Sequence, residues 1–311
     1  MKLLQDALRE VASGILEILS DDPFPASVYP ECLCSAVRSY PIRGGKRIRP
    51  ALVLWSCGAL GGDLRLAVNA AAAVEVYHSW TLVHDDIIDE DDVRRGQPST
   101  HAELKTHAAA AYKKTPELCA KFGRDFAILA GDLAQSRAFH MLRRSRENIS
   151  EAAMRRISAM MLKLGAVGVS SGEALDVLAG YCHEADQETL DHIVARKTSD
   201  LIEFAAAAGA VAGGADTVMT ENFAVFARNM GMAFQLRDDV LGVYGEVSRF
   251  GKPIGSDEKN QKTTYVTLYG IEEAEKEVKR LSEEAELLLE DLPGDHSAIA
   301  ELIRMMIGRR S

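Results

Sequence analysis

The chain has 311 residues, 47% of them apolar, with 36 Lys and Arg against 46 Asp and Glu for a formal charge of −10. Those proportions belong to a protein with a sizeable core and exclude a disordered chain or a small scaffold held by disulfides. The acidic excess argues against nucleic-acid binding, and only nine prolines leave few obligatory breaks, which favours long helices.

Leu3, Leu4, Leu8, Val11, Ile15 and Leu19 recur at helical spacing and give a first amphipathic helix. Lys2, Asp6, Arg9, Glu10 and Glu17 interrupt it too often for the core of a targeting segment. Pro23, Pro25 and Pro30 then break the chain. Pro41 and Pro50 bracket the loop Ile42-Arg43-Gly44-Gly45-Lys46-Arg47-Ile48-Arg49, which opens a helix running to about Leu60. After Gly61-Gly62, an alanine-rich helix from about Leu66 to Asp89 is apolar on most sides, as suits a helix central to a bundle. Glu90 to Ser99 reads as a polar loop, and Ala102 to Arg124 as a helical but peripheral insertion, rich in Ala and Lys. Further helices are expected at 126–142, 150–178, 186–212 and 218–244, then a Gly-, Pro- and Lys-rich loop at 245–262 and a solvated helix at 272–289. No β-ribbon, internal repeat or low-complexity linker is evident. The expected architecture is all-α, a single-domain helical bundle over residues 1–311. No run approaches the roughly 18 uncharged apolar residues of a membrane span. Cys32, Cys34, Cys57, Cys119 and Cys182 form no metal-type hooks and read as reduced thiols, so a cytoplasmic location is expected.

The densest chemical signal is His84-Asp85-Asp86-Ile87-Ile88-Asp89, at the end of the apolar helix. Asp85 and Asp89, four apart, share one helix face with Asp86 flanking them. Carboxylates so placed repel, and on a buried helix they call for a cation. An oxygen-only donor set suits Mg²⁺, which keeps several waters and shares its shell with phosphates. Alone, the pattern reads equally well as an acidic helix end facing solvent. A second pair, Asp238-Asp239, ends another apolar helix. Two such ends facing one another across a bundle can hold divalent cations around one polyanion. Cations lie nearby in the chain: Lys46 and Arg49 at a helix start, Arg94-Arg95, Lys197-Thr198, and Lys252 and Lys262 beyond the second pair. In so acidic a chain, those local groupings point to two bound diphosphates, one held through metal and one by cations alone. His78, two turns before Asp85, falls on the same face.

In order, Gly44-Gly45-Lys46-Arg47-Ile48-Arg49-Pro50, His78, Asp85-Asp86-Ile87-Ile88-Asp89, Arg94-Arg95-Gly96, Gly131-Asp132, Lys197-Thr198, Phe234-Gln235 with Asp238-Asp239, and Gly251-Lys252 with Lys262 closely resemble the trans-isoprenyl diphosphate synthase (polyprenyl synthetase) family. The likeness runs over roughly residues 40–270 and is to the archaeal-type short-chain geranylgeranyl and farnesyl diphosphate synthases. It implies a homodimer with a deep central cavity that condenses isopentenyl diphosphate with allylic diphosphates (dimethylallyl, geranyl or farnesyl), using a cluster of about three Mg²⁺ ions. It assigns Asp85, Asp89 and Asp238 as metal ligands, with Asp86 and Asp239 supporting them. Arg94, Lys197, Thr198, Gln235, Lys252 and Lys262 would hold the allylic diphosphate, and Lys46, Arg49, His78 and Arg95 isopentenyl diphosphate. Trp80 and Tyr77, five and eight residues before Asp85, would form a floor that limits the product to the short range, geranylgeranyl first and farnesyl second. Three departures stand out. Gly242 replaces a third Asp of the second motif, residues 102–124 look longer than usual, and Glu173 stands where Gln is common, with Asp176 kept.

The chemistry fits without the family. Ionising an allylic diphosphate and capturing the cation with an alkene needs charge stabilisation, orientation and dryness, and the chain shows no nucleophile with a paired base. A class I terpene cyclase would share the first acidic motif but would not need the Gly44-to-Pro50 loop or Arg95. A non-catalytic subunit of a heteromeric synthase would be expected to lose acidic motifs that this chain keeps.

Overall fold

A computed structural model of the chain describes residues 2–145, 149–182, 186–244 and 264–308. The elements run α1 (Lys2–Ser20), a 3₁₀ turn (Phe24–Ser27), α2 (Glu31–Ile42), α3 (Ile48–Ala59) and α4 (Leu64–Ile88). A ribbon of two-residue strands, β1 (Val93–Arg94) and β2 (Gln97–Pro98), interrupts the helices, which the expectation of no β-structure overlooked. Then come α5 (Thr100–Tyr112), α6 (Pro116–Arg144), α7 (Glu151–Met160), a π-helical stretch (Met161–Val169) and α8 (Ser170–Cys182). α9 (Gln187–Ile193) passes through a second π-helical stretch (Val194–Ser199) into α10 (Asp200–Ala212), followed by α11 (Thr217–Tyr244), α12 (Tyr265–Tyr269), α13 (Ile271–Glu290) and α14 (Ser297–Ile307). The architecture is the expected all-helical bundle. No helix among the described residues is long and apolar enough to cross a membrane.

Local signals start the helices. Asp63 caps α4 by accepting the Arg65 backbone N–H at 3.0 Å, Ser150 caps α7, and Thr115 caps α6 just ahead of Pro116. Packing decides which helices are inside. Every residue of α10 is buried, which its Ala205–Ala208 run permits by letting neighbouring backbones approach. α4 contributes Ala70, Ala71, Ala72, Ala73, Val74 and Val76 to the same core. A buried ion pair ties the N-terminal region to α6: Arg137 donates to Asp22 at 2.7 Å and to the carbonyls of Val37 and Leu19.

Residues 102–124 are not an appendage. They are most of α5 and the start of α6; Ala108 is buried, and Leu104 joins Val37, Tyr40, Val83, Ala127 and Ala130 in a second apolar cluster. Alanine and lysine look solvated in sequence, but a helical hairpin buries one stripe of alanines whatever its outer face carries.

Asp200 opens α10 in the core. Burial, with Glu203 beside it, pushes its carboxyl up to about 7 despite Arg196, Arg228 and Lys163. The folded chain therefore holds a proton there that the unfolded chain, titrating near 3.8, has released. The associated stability is complete below 3.8 and lost as pH rises through about 7. Asp200→Asn removes that dependence, so it should stabilise the protein more at about pH 8 than at about pH 5. Urea midpoints at the two pH values test this, and equal shifts contradict it.

Candidate active site

One cavity of about 430 Å³ opens among α4, α8, α9, the second π-helical stretch, α11 and α12. α4 presents His78, Thr81, Leu82, Asp85 and Asp89 to it, spaced at three and four residues. α11 presents Phe234, Gln235, Asp238 and Asp239, so both acidic helix ends reach the same space. Arg49, Arg94, Lys197 and Thr198 line it as well. The expected residues outside this lining are Lys46, Arg95, Asp86, Trp80 and Tyr77, while Lys252 and Lys262 lie outside the described residues.

Asp85 is already compensated. Arg94 Nη2 donates to it at 2.7 Å, and Lys197 Nζ lies 3.7 Å away. Asp86, expected to support the metal ligands at the site, turns inward instead and is fully buried. It accepts from Arg94 Nε at 2.5 Å and from the Tyr40 hydroxyl, which in turn accepts the Thr100 backbone N–H at 3.2 Å. Burial pushes the Asp86 carboxyl up, while Arg94 and the Tyr40 hydroxyl pull it back. Asp86 thus aims the Arg94 fork at Asp85 from behind.

The second π-helical stretch carries Lys197 and Thr198. A π turn adds a residue and re-aims the side chains that follow it. Gly172 makes room for it, because a Cβ there would stand 2.4 Å from the Lys197 backbone nitrogen. Lys197 Nζ then meets Asp176 at 2.6 Å and Glu173 at 2.8 Å. Desolvation pulls this ammonium's pKa down, but Asp85, Asp176 and Glu173 more than offset it, so it is raised and Lys197 stays charged. Thr198 donates to Gln235, whose amide donates to Asp239 at 2.9 Å.

The Gly44-to-Pro50 loop builds the other end. Gly45 has φ +124°, and any side chain there would collide with the Arg95 guanidinium, which donates to the Gly44 carbonyl. Arg47, also left-handed at φ 51°, is buried against Glu75 and donates to the Pro41 carbonyl at 2.6 Å. That anchors the loop so that Arg49 reaches the cavity. Desolvation lowers the Arg49 pKa to about 10, and its Nε is buried without a hydrogen-bond partner among the described residues. Burial, then Arg49, Arg95, Arg94 and Arg47, hold His78 well below the usual imidazole range, so it is neutral near pH 7. A desolvated cluster of arginines beside a neutral imidazole is suited to an anion.

Trp80 and Tyr77 do stack, edge to face at 4.8 Å between ring centres. They lie about a third of a turn round α4 from Asp85, however, and pack with Phe139, Gln135 and His84 rather than on the cavity wall. Spacing five and eight residues before Asp85 sets distance along the axis, while the 100° step sets direction. Glu75 and Tyr40, which hold the charged groups in place, carried no signal in the sequence because their partners are remote in the chain, and Arg47, though part of the Gly44-to-Pro50 motif, had no role assigned there.

The carboxylates supply only oxygen donors, which suits a hard divalent cation, and Asp85 and Asp89 face the cavity one turn apart. Among the described residues no three His, Cys, Asp or Glu side chains converge tightly enough to hold an ion unaided. A cation that shares its shell with phosphate oxygens and water needs no such convergence.

A helical bundle with acidic and basic walls around one central cavity defines a class of enzyme that works on polyanionic substrates. Residues 30–305 match polyprenyl synthetase, and the chain belongs to that family, the trans-isoprenyl diphosphate synthases, and is a trans-prenyltransferase. It is 34% identical over 270 residues to the farnesyl diphosphate synthase of Geobacillus stearothermophilus, covering 86% of this chain and 84% of that protein. It is 37% identical over 253 residues to the geranylfarnesyl diphosphate synthase of Aeropyrum pernix, covering 80% and 73%. The geranylgeranyl pyrophosphate synthase of Corynebacterium glutamicum, solved with isoprenyl diphosphate and magnesium, superposes with a TM-score of 0.86 at 25% identity over 99% of each chain.

Proposed function

We propose that this enzyme joins isopentenyl diphosphate to an allylic diphosphate primer and releases a short trans-prenyl diphosphate, geranylgeranyl diphosphate in the main. The observation that carries this reading is a single cavity lined by both acidic helix ends and by two separate sets of cations. Asp85, Asp89 and Asp238 are the proposed Mg²⁺ ligands, with Asp239 held by Gln235 behind them. Bound Mg²⁺ supplies the positive charge that lets the primer's diphosphate leave. Arg94, Lys197 and Thr198 orient that diphosphate, and Lys252 and Lys262 are assigned to it from the sequence. Arg49 and neutral His78 hold isopentenyl diphosphate, with Lys46 and Arg95 at the loop above. Leu82, Val169, Leu201 and Phe234 line the cavity with apolar surface that keeps water from a carbocation.

The relatives' names span several prenyl lengths, which leaves length to this chain's own residues. The Trp80–Tyr77 stack is the proposed stop, reached when the growing tail parts the side chains between it and the cavity. Labelled isopentenyl diphosphate supplied with each allylic primer in turn tests the activity. Absence of condensation with every primer rejects it, and a product made without isopentenyl diphosphate favours a cyclase. Trp80→Ala should lengthen the main product by about one isoprene unit or more, since it removes a side chain as bulky as that unit. An unchanged product spectrum assigns the stop to another residue. Leu118, Ile128 and Leu129, exposed on α6, support a homodimer, and five free cysteines accord with a cytoplasmic setting.

A further inference from the structure

Glu173 lines the cavity, yet its place there is costly for an enzyme that binds anions. It projects from the first turn of α8, one turn before Asp176, and both carboxylates face Lys197. Oε2 meets the Lys197 ammonium at 2.8 Å, whereas Oε1 is buried with no hydrogen-bond partner among the described residues. Its hold on Lys197 is therefore the one polar bond this carboxylate makes among the described residues. Among the described residues, the carboxylates of Glu173 and Asp176, with Asp85 farther off at 3.7 Å, gather round the Lys197 ammonium. A diphosphate arriving there has to compete with Glu173 for Lys197.

Resting on the reading of Lys197 as a primer-diphosphate contact, we propose that Glu173 is a positioning residue. It holds the Lys197 ammonium against Asp176 until a diphosphate displaces it, and so sets the site's affinity below what Lys197 alone would provide. The backbone of Lys197 is pressed against Gly172, so the lysine and the carboxylate are fixed relative to one another before any ligand arrives. Glutamine at 173 would still offer an oxygen to Lys197 but without the competing charge. An amide keeps the orientation and drops the electrostatic hold.

Calorimetric titration with inorganic pyrophosphate in EDTA tests this on the full chain, comparing wild type, Glu173→Gln, Lys197→Met and the double variant. Glu173→Gln should tighten pyrophosphate at least about threefold, because a carboxylate a few ångströms from the bound anion is removed. The same change in the Lys197→Met background should yield a clearly smaller gain, since the coupling runs through the ammonium. With Mg²⁺ and both substrates, the primer's KM should fall in Glu173→Gln while that of isopentenyl diphosphate stays level. No gain overturns the proposal, and so does an equal gain in both backgrounds, which would make Glu173 only a stray negative charge. A wild type that binds pyrophosphate neither in EDTA nor with Mg²⁺ restored rejects the diphosphate reading of the cavity itself. One that binds it without responding to Glu173 rejects this proposal alone.

Discussion

Asp85→Ala and Asp238→Ala each lower turnover by about a hundredfold or more at saturating Mg²⁺, while the bundle still folds. Charge that develops on a leaving diphosphate is stabilised only by groups already aimed at it, and loss of one such electrostatic contact typically removes about 10²–10³ of rate. The geometry also sets what happens without metal. Repulsion between acidic neighbours would make Asp85→Ala stabilising, but Asp85 is bonded to Arg94 and lies near Lys197. Its removal therefore lowers the metal-free melting temperature slightly, by the loss of one charge-assisted contact worth about 1.5–3 kcal/mol at most. The fold survives because Arg94 keeps Asp86, and Lys197 keeps Glu173 and Asp176. Steady-state rates across a Mg²⁺ titration, with circular dichroism on the same samples, provide the check. Turnover within about fivefold of wild type would show that the developing charge is met elsewhere.

Arg49→Met and Lys197→Met should divide the two substrates between them. Each removes one charge-assisted phosphate contact, about 1.5–3 kcal/mol, or roughly ten- to a hundredfold in apparent affinity. Arg49→Met acts on isopentenyl diphosphate, because Arg49 lines the cavity with His78 and lies close enough to Arg95, outside the lining, to feel its charge. Lys197→Met acts on the primer, because Lys197 stands between the two acidic motifs' shared space and Asp176. It also removes the ammonium that Asp176 and Glu173 share, so some stability is lost with it. KM values for each substrate, measured with the other saturating, read the split directly. If Arg49→Met weakens only the primer, the two ends are assigned the wrong way round.

Much of this was present in the order of residues. Apolar spacing at three and four positions is a local property, so α4 and α11 could be placed, and with them the carboxylates that end both helices. Asp85 and Asp89 share a face because 3.6 residues make a turn, and no tertiary contact is needed to know it. Loops were legible where glycine permits a backbone that other residues resist, as at Gly44-Gly45.

What the sequence could not decide is which of two adjacent aspartates faces the cavity and which faces the core. Asp86 turns inward because Tyr40, from α2, and Arg94, from β1, meet it there, and neither pairing has a period in the chain. Lys197 reaches Asp176 through a π turn that the residues 194–199 do not announce, and which packing against Gly172 accompanies. Residues 102–124 looked peripheral until α2 and α4 were there to cover Leu104. The local code specifies helices and their faces. Opposing a face to a particular neighbour depends on desolvation and on charges brought together from distant parts of the chain, so those choices exist only in the folded bundle.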